Sequence, residues 1–164
     1  LEHEFETLRI LHKAGASVPR PYASGNNTII MEYLGGEEGS APTLHEVHLG
    51  SRRQAKLMFD RLMENVEIML ACKRIHGDLS AYNVLVWEDE FRIIDFPQSV
   101  KPDDNRSAYA IFKRDVTRLC QYFERYGIST RPAYLAWKIW QKQGYGGLWA
   151  PDNTDWEDKA HQLD

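Results

Sequence analysis

A mixed α and β fold with helices dominant is what this sequence predicts, on three observations. Apolar residues recur at three- and four-residue spacing in long segments. Two short β-prone runs flank a polar turn at the middle of the chain. A proline-locked stretch leads into a further β-prone run near the start. With 164 residues, 43% hydrophobic and 27% charged, the chain can bury one adequate core, so one globular domain is the default.

Residues 1 to 14 place Phe5, Leu8 and Leu11 on one helical face, and Gly15 stands where a left-handed residue would end the helix. Val18-Pro19-Arg20-Pro21 runs extended, because proline locks its own φ and biases the residue before it away from α. Thr28 to Leu34 reads as a buried strand. Residues 35 to 50 mix glycine, acids, Pro42 and histidines without a period and read as a surface loop. Ser51 with Gln54 makes a capping-box start, after which Leu57, Phe59, Leu62, Met63, Val66, Met69 and Leu70 form the stripe of a long helix.

Residues 84 to 87 and 91 to 94 flank Glu88-Asp89-Glu90, which predicts a hairpin with a three-residue turn. Ser107 can cap a second long helix with Phe112, Val116, Leu119, Phe123 and Tyr126 on its buried face and Gly127 at its stop. A weaker, tryptophan-rich helix follows over 133 to 142, whose tryptophans read as core, and from Gly144 the chain is glycine-rich, then polar, with a frayed end. No internal repeat or low-complexity segment interrupts this order.

Composition excludes several classes. No apolar run approaches the ~18 residues that span a bilayer, so a soluble, cytoplasmic protein without membrane contact is expected. Cys72 and Cys120 lie in helical patterns without metal-ligand spacing and read as buried free thiols. The net charge of −4 offers no general attraction to nucleic acid, and no nucleic-acid motif is present. Arg52, Arg53 and Lys56, and Lys113, Arg114 and Arg118, read as solvated helix faces.

The chemistry concentrates in Ile75-His76-Gly77-Asp78-Leu79-Ser80-Ala81-Tyr82-Asn83 and in Ile93-Ile94-Asp95-Phe96 after the hairpin. If the hairpin is centred on Asp89, residue 83 lies across from residue 95, and an amide oxygen and a carboxylate share its open end. Two hard oxygen ligands there suit Mg²⁺, which takes few protein ligands and leaves its remaining positions to water and nucleotide phosphates. Asp78, one loop away, can orient a hydroxyl or water and accept its proton, a contribution of ~10²–10⁴ in rate. Singly, each residue reads as a cap, a turn or a strand end. Together they repeat the H-x-D-x-x-x-x-N motif with a downstream metal aspartate. His76 reads as a structural pin for the loop rather than as a base.

Those residues, with Pro97-Gln98-Ser99-Val100 after Asp95-Phe96, and Arg114-Asp115-Val116 before Tyr122-Phe123, resemble the RIO family of atypical serine/threonine protein kinases over most of residues 1 to 126. The Asp95-Phe96-Pro97-Gln98 run is the sharpest part, because ordinary protein kinases carry glycine after Asp-Phe. The resemblance implies an α+β, protein-kinase-like fold of RIO type: residues 1–34 as a partial N-terminal lobe of helix and hinge strand, 35–164 as the helical C-terminal lobe. It implies ATP and Mg²⁺ as cofactors, Asp78 as the catalytic aspartate, Asn83 and Asp95 as metal ligands, and Asp115 as a buttress of the loop. Asp95 is also implied as a phosphate acceptor. By the same resemblance Met31 is a gatekeeper and the backbone of Glu32 and Leu34 faces the adenine edge, while protein or water accepts the phosphoryl group. Ribosome precursors are implied as partners from eukaryotic and archaeal members.

The Gly-rich loop and strand lysine of a kinase have no counterpart upstream, and Glu4 stands where the lysine's partner would be. The chain therefore reads as a fragment of a longer protein, against the alternative of a protein that lacks the lobe. Two other functions compete with a RIO-type kinase or ATPase. One is a small-molecule kinase resembling aminoglycoside or choline kinases, which share the His-Gly-Asp loop. The other is a catalytically impaired nucleotide-binding or interaction module.

Overall fold

A computed structural model describes residues 1–149. Helix α1 covers Glu2–Lys13; it buries Leu8 and Leu11, leaves Phe5 half-buried, and gives way to Gly15 at φ +90°. Strand β1 (Pro21–Gly25) pairs antiparallel with β2 (Thr28–Met31) across Asn26 and Asn27, both at positive φ. Asparagine tolerates that backbone region better than most residues, which makes a two-residue hairpin turn cheap here. The expected buried strand over 28 to 34 is thus shorter and partly exposed. A two-stranded ladder packs one face only, so Ile29 and Met31 lean on the core while Ile30 is exposed.

Residues 35 to 50 are more ordered than a plain surface loop. They hold the small pair β3 (Gly35–Gly36) and β4 (Gly39–Ser40), and then flank the next hairpin. The Leu44 N–H donates to the Val84 carbonyl (2.7 Å) and the Val86 N–H to the Pro42 carbonyl (2.9 Å), which buries Leu44 completely.

Helix α2 (Arg52–Ala71) starts as its cap predicts, with Ser51 Oγ accepting from the Gln54 N–H at 3.1 Å. The Gln54 side chain reaches back one residue further than a capping box, to the Gly50 N–H. Its stripe is buried from Phe59 to Leu70, but Leu57 points to solvent because it lies on the opposite face. Cys72, just past the helix, is half-buried rather than buried; Cys120 is fully buried.

The hairpin of β5 (Val84–Trp87) and β6 (Glu90–Ile93) turns on Glu88 and Asp89 alone, both at positive φ. Its register pairs Val84 with Ile93, one step from the expected centring. Asn83 therefore faces Ile94, whose N–H donates to the Asn83 carbonyl (2.9 Å), and Asp95 lies one residue beyond the pair. Helix α3 (Ala108–Phe123) has no side-chain cap from Ser107. Asn105 instead takes the Ser107 N–H at 2.8 Å, and a 3₁₀ turn over Glu124–Tyr126 ends at Gly127 with φ +75°.

Helix α4 (Pro132–Lys142) packs on α3 through Trp140, whose ring meets Tyr109 and Phe112, while Phe59 of α2 meets Phe123 of α3 edge-on at 5.4 Å. The core therefore sits between α2, α3, α4 and the β5–β6 hairpin, and Leu8 and Leu11 of α1 join it. Among the described residues no helix is long and apolar enough to cross a membrane. The expected fraying of the chain end falls on residues 150–164 and lies outside the described residues.

Candidate active site

The loop from His76 to Asn83 connects α2 to β5, and its backbone is held from three sides. From α3, the Asp115 carboxylate accepts the Gly77 N–H (2.9 Å) and the Leu79 N–H (3.0 Å), and Arg114 donates to the Gly77 carbonyl. A helix aspartate that is 2% exposed is the opposite of a solvated charge, and two backbone donors compensate its burial. Burial pushes the Asp115 carboxyl above the usual carboxylate range, against the pull of those two N–H groups.

From the far end of the hairpin, His76 pins the loop as expected. Its Nε2–H donates to the Ile94 carbonyl at 2.8 Å, and Nδ1 accepts the Asp78 N–H at 3.1 Å. One donor and one acceptor define the neutral imidazole. Burial holds the His76 pKa below the ordinary histidine value, against the Ile94 carbonyl that favours the charged form.

The third side is the strip after Asp95. Ile75 and Val100 exchange both backbone bonds, which sets the Gln98 carbonyl directly over Gly77. A Cβ at residue 77 would press into that carbonyl, and the backbone there has φ +91°, so glycine is required twice over. Phe96 is wholly buried and tilts against the His76 ring at 4.6 Å between centroids. Helix α1 ties down the same strip through Glu4, which accepts the Phe96 N–H (3.3 Å), and His3, which bonds Ser99.

Held this way, the loop brings Asp78 and Asn83 together. Asn83 Nδ2 donates to the Asp78 carbonyl at 2.8 Å and approaches Asp78 Oδ2 at 3.4 Å, which leaves Asn83 Oδ1 without a partner among the described residues. Asp95 adopts φ +68°, a left-handed conformation that costs an aspartate less than most side chains. It lines a cavity of ≈ 270 Å³ together with Glu4, Met31, Glu32, Leu34 and Leu85. The expected cross-strand pairing of 83 with 95 does not occur, because the two-residue turn shifts the register by one.

The expected backbone contacts of Glu32 and Leu34 are half occupied within the chain. The Glu32 N–H donates to the Arg20 carbonyl (2.8 Å), and the Leu34 carbonyl accepts from the Ala41 N–H (2.9 Å). What stays unpaired among the described residues is the Glu32 carbonyl and the Leu34 N–H.

Three contacts were not anticipated from the sequence. Glu32 and Arg92 form a two-pronged ion pair with both contacts at 3.3 Å, joining the segment after β2 to β6. Arg114 and Arg118, expected on a solvated face, turn to the loop instead, and Arg118 Nη1 donates to Asp78 Oδ1 at 3.0 Å. The available signal was their spacing of one helical turn beside Asp115, which puts all three on neighbouring positions of α3.

This scaffold is a protein-kinase-like fold. It superposes on the crystal structure of the Rio2 kinase from Chaetomium thermophilum with a TM-score of 0.70 and 26% identity, over 92% of this chain and 47% of that one. The RIO domain family matches residues 1–135, and the chain belongs to the RIO family. It is 30% identical over 129 residues to the RIO-type serine/threonine-protein kinase Rio1 of Thermoplasma acidophilum, covering 79% of this chain and 66% of that protein. It is 37% identical over 129 residues to the RIO-type serine/threonine-protein kinase Rio2 of Methanocaldococcus jannaschii, covering 78% and 46%. Serine/threonine-protein kinase RIO1 of Saccharomyces cerevisiae is 31% identical over 134 residues, with 80% and 28% covered. The chain thus spans from 28% to 66% of the length of these relatives.

Proposed function

We propose that this chain carries the chemical centre of an ATP- and Mg²⁺-dependent phosphotransferase, a RIO-type serine/threonine kinase or ATPase, with Asp78 as its proton acceptor. The observation that carries this reading is the Asp78–Asn83 pair: the amide nitrogen is spent on the loop's own carbonyl, which leaves its oxygen without a partner among the described residues beside the Asp78 carboxylate.

The donor set fits the nucleotide. A carbonyl and an N–H two residues apart, at Glu32 and Leu34, complement the amino group and ring nitrogen of an adenine edge, and Met31 sits at the inner end of that segment. Asn83 Oδ1 and Asp95 are the hard oxygens that would hold Mg²⁺, which needs only one or two protein ligands. When bound, that ion neutralises charge on the phosphates. Glu4 lines the same cavity beside Asp95, where an acid can orient a lysine from elsewhere in the protein.

On this reading Asp78 Oδ2 takes the proton of the acceptor hydroxyl, from a protein serine or threonine or from water, as that oxygen attacks phosphorus. Neutral His76 does not compete for the proton, since both ring nitrogens are engaged. Asp95 is the second candidate acceptor of the phosphoryl group.

Calorimetry of ATP with Mg²⁺, on this 164-residue chain and on the full-length protein, tests the binding half. Turnover by Asp78→Asn tests the chemical half: it should keep nucleotide affinity and lose at least ~10²-fold in rate. Wild-type turnover by that variant sinks the assignment.

A further inference from the structure

The loop that carries Asp78 contains no cation between His76 and Asn83, yet Asp78 does not stand alone. Arg118, 40 residues further along the chain but adjacent in space, reaches from α3 and puts Nη1 on Asp78 Oδ1 at 3.0 Å. Its neighbour Arg114 is consumed structurally by the Gly77 carbonyl. Arg118 is different: among the described residues Nε and Nη2 have no hydrogen-bond partner, and the side chain is 41% exposed at the rim of the site. A guanidinium has five N–H donors in a rigid fork, so one contact on Asp78 fixes its place and leaves the rest of the fork open.

We propose that Arg118 is a catalytic residue of this site, its open N–H groups contacting the phosphoryl group during transfer. The proposal rests on the phosphotransfer reading above. In that step the acceptor oxygen forms its bond to the γ-phosphorus and its proton passes to Asp78 Oδ2. The bond from γ-phosphorus to the bridging oxygen breaks, with its electron pair leaving on ADP. Charge gathers on the three equatorial oxygens of the phosphoryl group close to a carboxylate that is itself anionic. A cation anchored on that carboxylate relieves the repulsion between the two and stabilises the charge where it accumulates. Arg118 is the described cation that touches the Asp78 carboxylate. A half-exposed ion pair of this kind contributes little to folding, so its removal reports on chemistry rather than on stability.

The test uses the full-length protein in two assays: steady-state ATP turnover, and binding of Mg·ADP with and without aluminium fluoride, a mimic of the phosphoryl group in flight. Arg118→Ala should lower kcat by roughly 10²–10³-fold with KM for ATP and the melting temperature unchanged. It should also weaken the fluoride complex while leaving Mg·ADP affinity as it was, and Arg118→Lys should recover part of both. Wild-type kcat in Arg118→Ala overturns the proposal. So does an equal loss of affinity for Mg·ADP alone and for the fluoride complex, which marks a merely structural role. A fluoride complex of unchanged affinity overturns it even if turnover is immeasurable. Failure of the underlying reading looks different: wild-type protein that binds no nucleotide, or Asp78→Asn with full turnover, overturns both.

Discussion

Two stretches of this molecule do comparable work by opposite means. The loop from His76 to Asn83 is over-determined: a buried carboxylate, a buried imidazole, a backbone bridge and a required glycine all fix its path. The segment from Thr28 to Ser40, which would hold the base of a nucleotide, rests on two short hairpins with exposed faces and on one partly exposed ion pair, Glu32–Arg92. Positions that must be accurate to fractions of an ångström are secured by buried polar groups, whose loss is expensive. A segment held by short, exposed hairpins has a looser mount, and is the easier place for movement.

The contrast makes graded predictions. The largest effect belongs to Asp115→Ala, which strands two buried N–H donors and should cost about 3–5 kcal/mol, read as a lowered denaturation midpoint at unchanged m-value. Gly77→Ala combines a left-handed backbone with a collision against Gln98, and roughly 2–4 kcal/mol of destabilisation is expected from the same measurement. If either variant unfolds like wild type, the loop is less constrained than its contacts imply.

The next effect is a dependence on pH. His76 is buried neutral with a lowered pKa, so below the ordinary histidine value near 6.5 the unfolded chain binds the proton that the folded chain refuses. This contribution is fully present above pH ~6.5 and is lost as pH falls, by at most ~1.4 kcal/mol per pH unit. Asp115, whose pKa is raised, acts with the opposite sign: its folded form holds a proton longer, so its share of stability falls as pH rises from the carboxylate range. Unfolding midpoints of wild type and His76→Gln from pH 5 to 8 separate the two, because only the histidine share disappears in the variant. Parallel profiles would contradict the assigned protonation state.

The smallest effect is expected at the Glu32–Arg92 pair. Arg92→Ala should change stability by no more than about 0.5–1 kcal/mol, since both partners reach solvent. It should instead raise KM for ATP roughly threefold to tenfold, about 1 kcal/mol of positioning, at nearly constant kcat. A drop in kcat without a change in KM would move Arg92 from nucleotide positioning to the chemistry.

The helices, the hairpin and the His76–Asn83 loop were legible in the sequence, because their signals are local: a periodic stripe over α2 and α3, a serine cap at residue 51, a residue-by-residue motif. The RIO family was legible for the same reason, in the ordered run from His76 through Asp95-Phe96-Pro97-Gln98 to Asp115. The β1–β2 hairpin could have been found from Gly25-Asn26-Asn27, a short turn signal hidden beside prolines. What only the tertiary structure decided is where long side chains go once the elements have packed. Arg118 looks like any solvated helix residue until α3 docks beside the loop, and Glu32 and Arg92 are 60 positions apart in the chain yet form one ion pair. The one-residue shift that moves Asp95 off Asn83 likewise depends on two backbone angles in a turn without glycine. Local patterning determines which face of an element is apolar; the partner of a charge is fixed by packing between segments that sequence spacing does not encode.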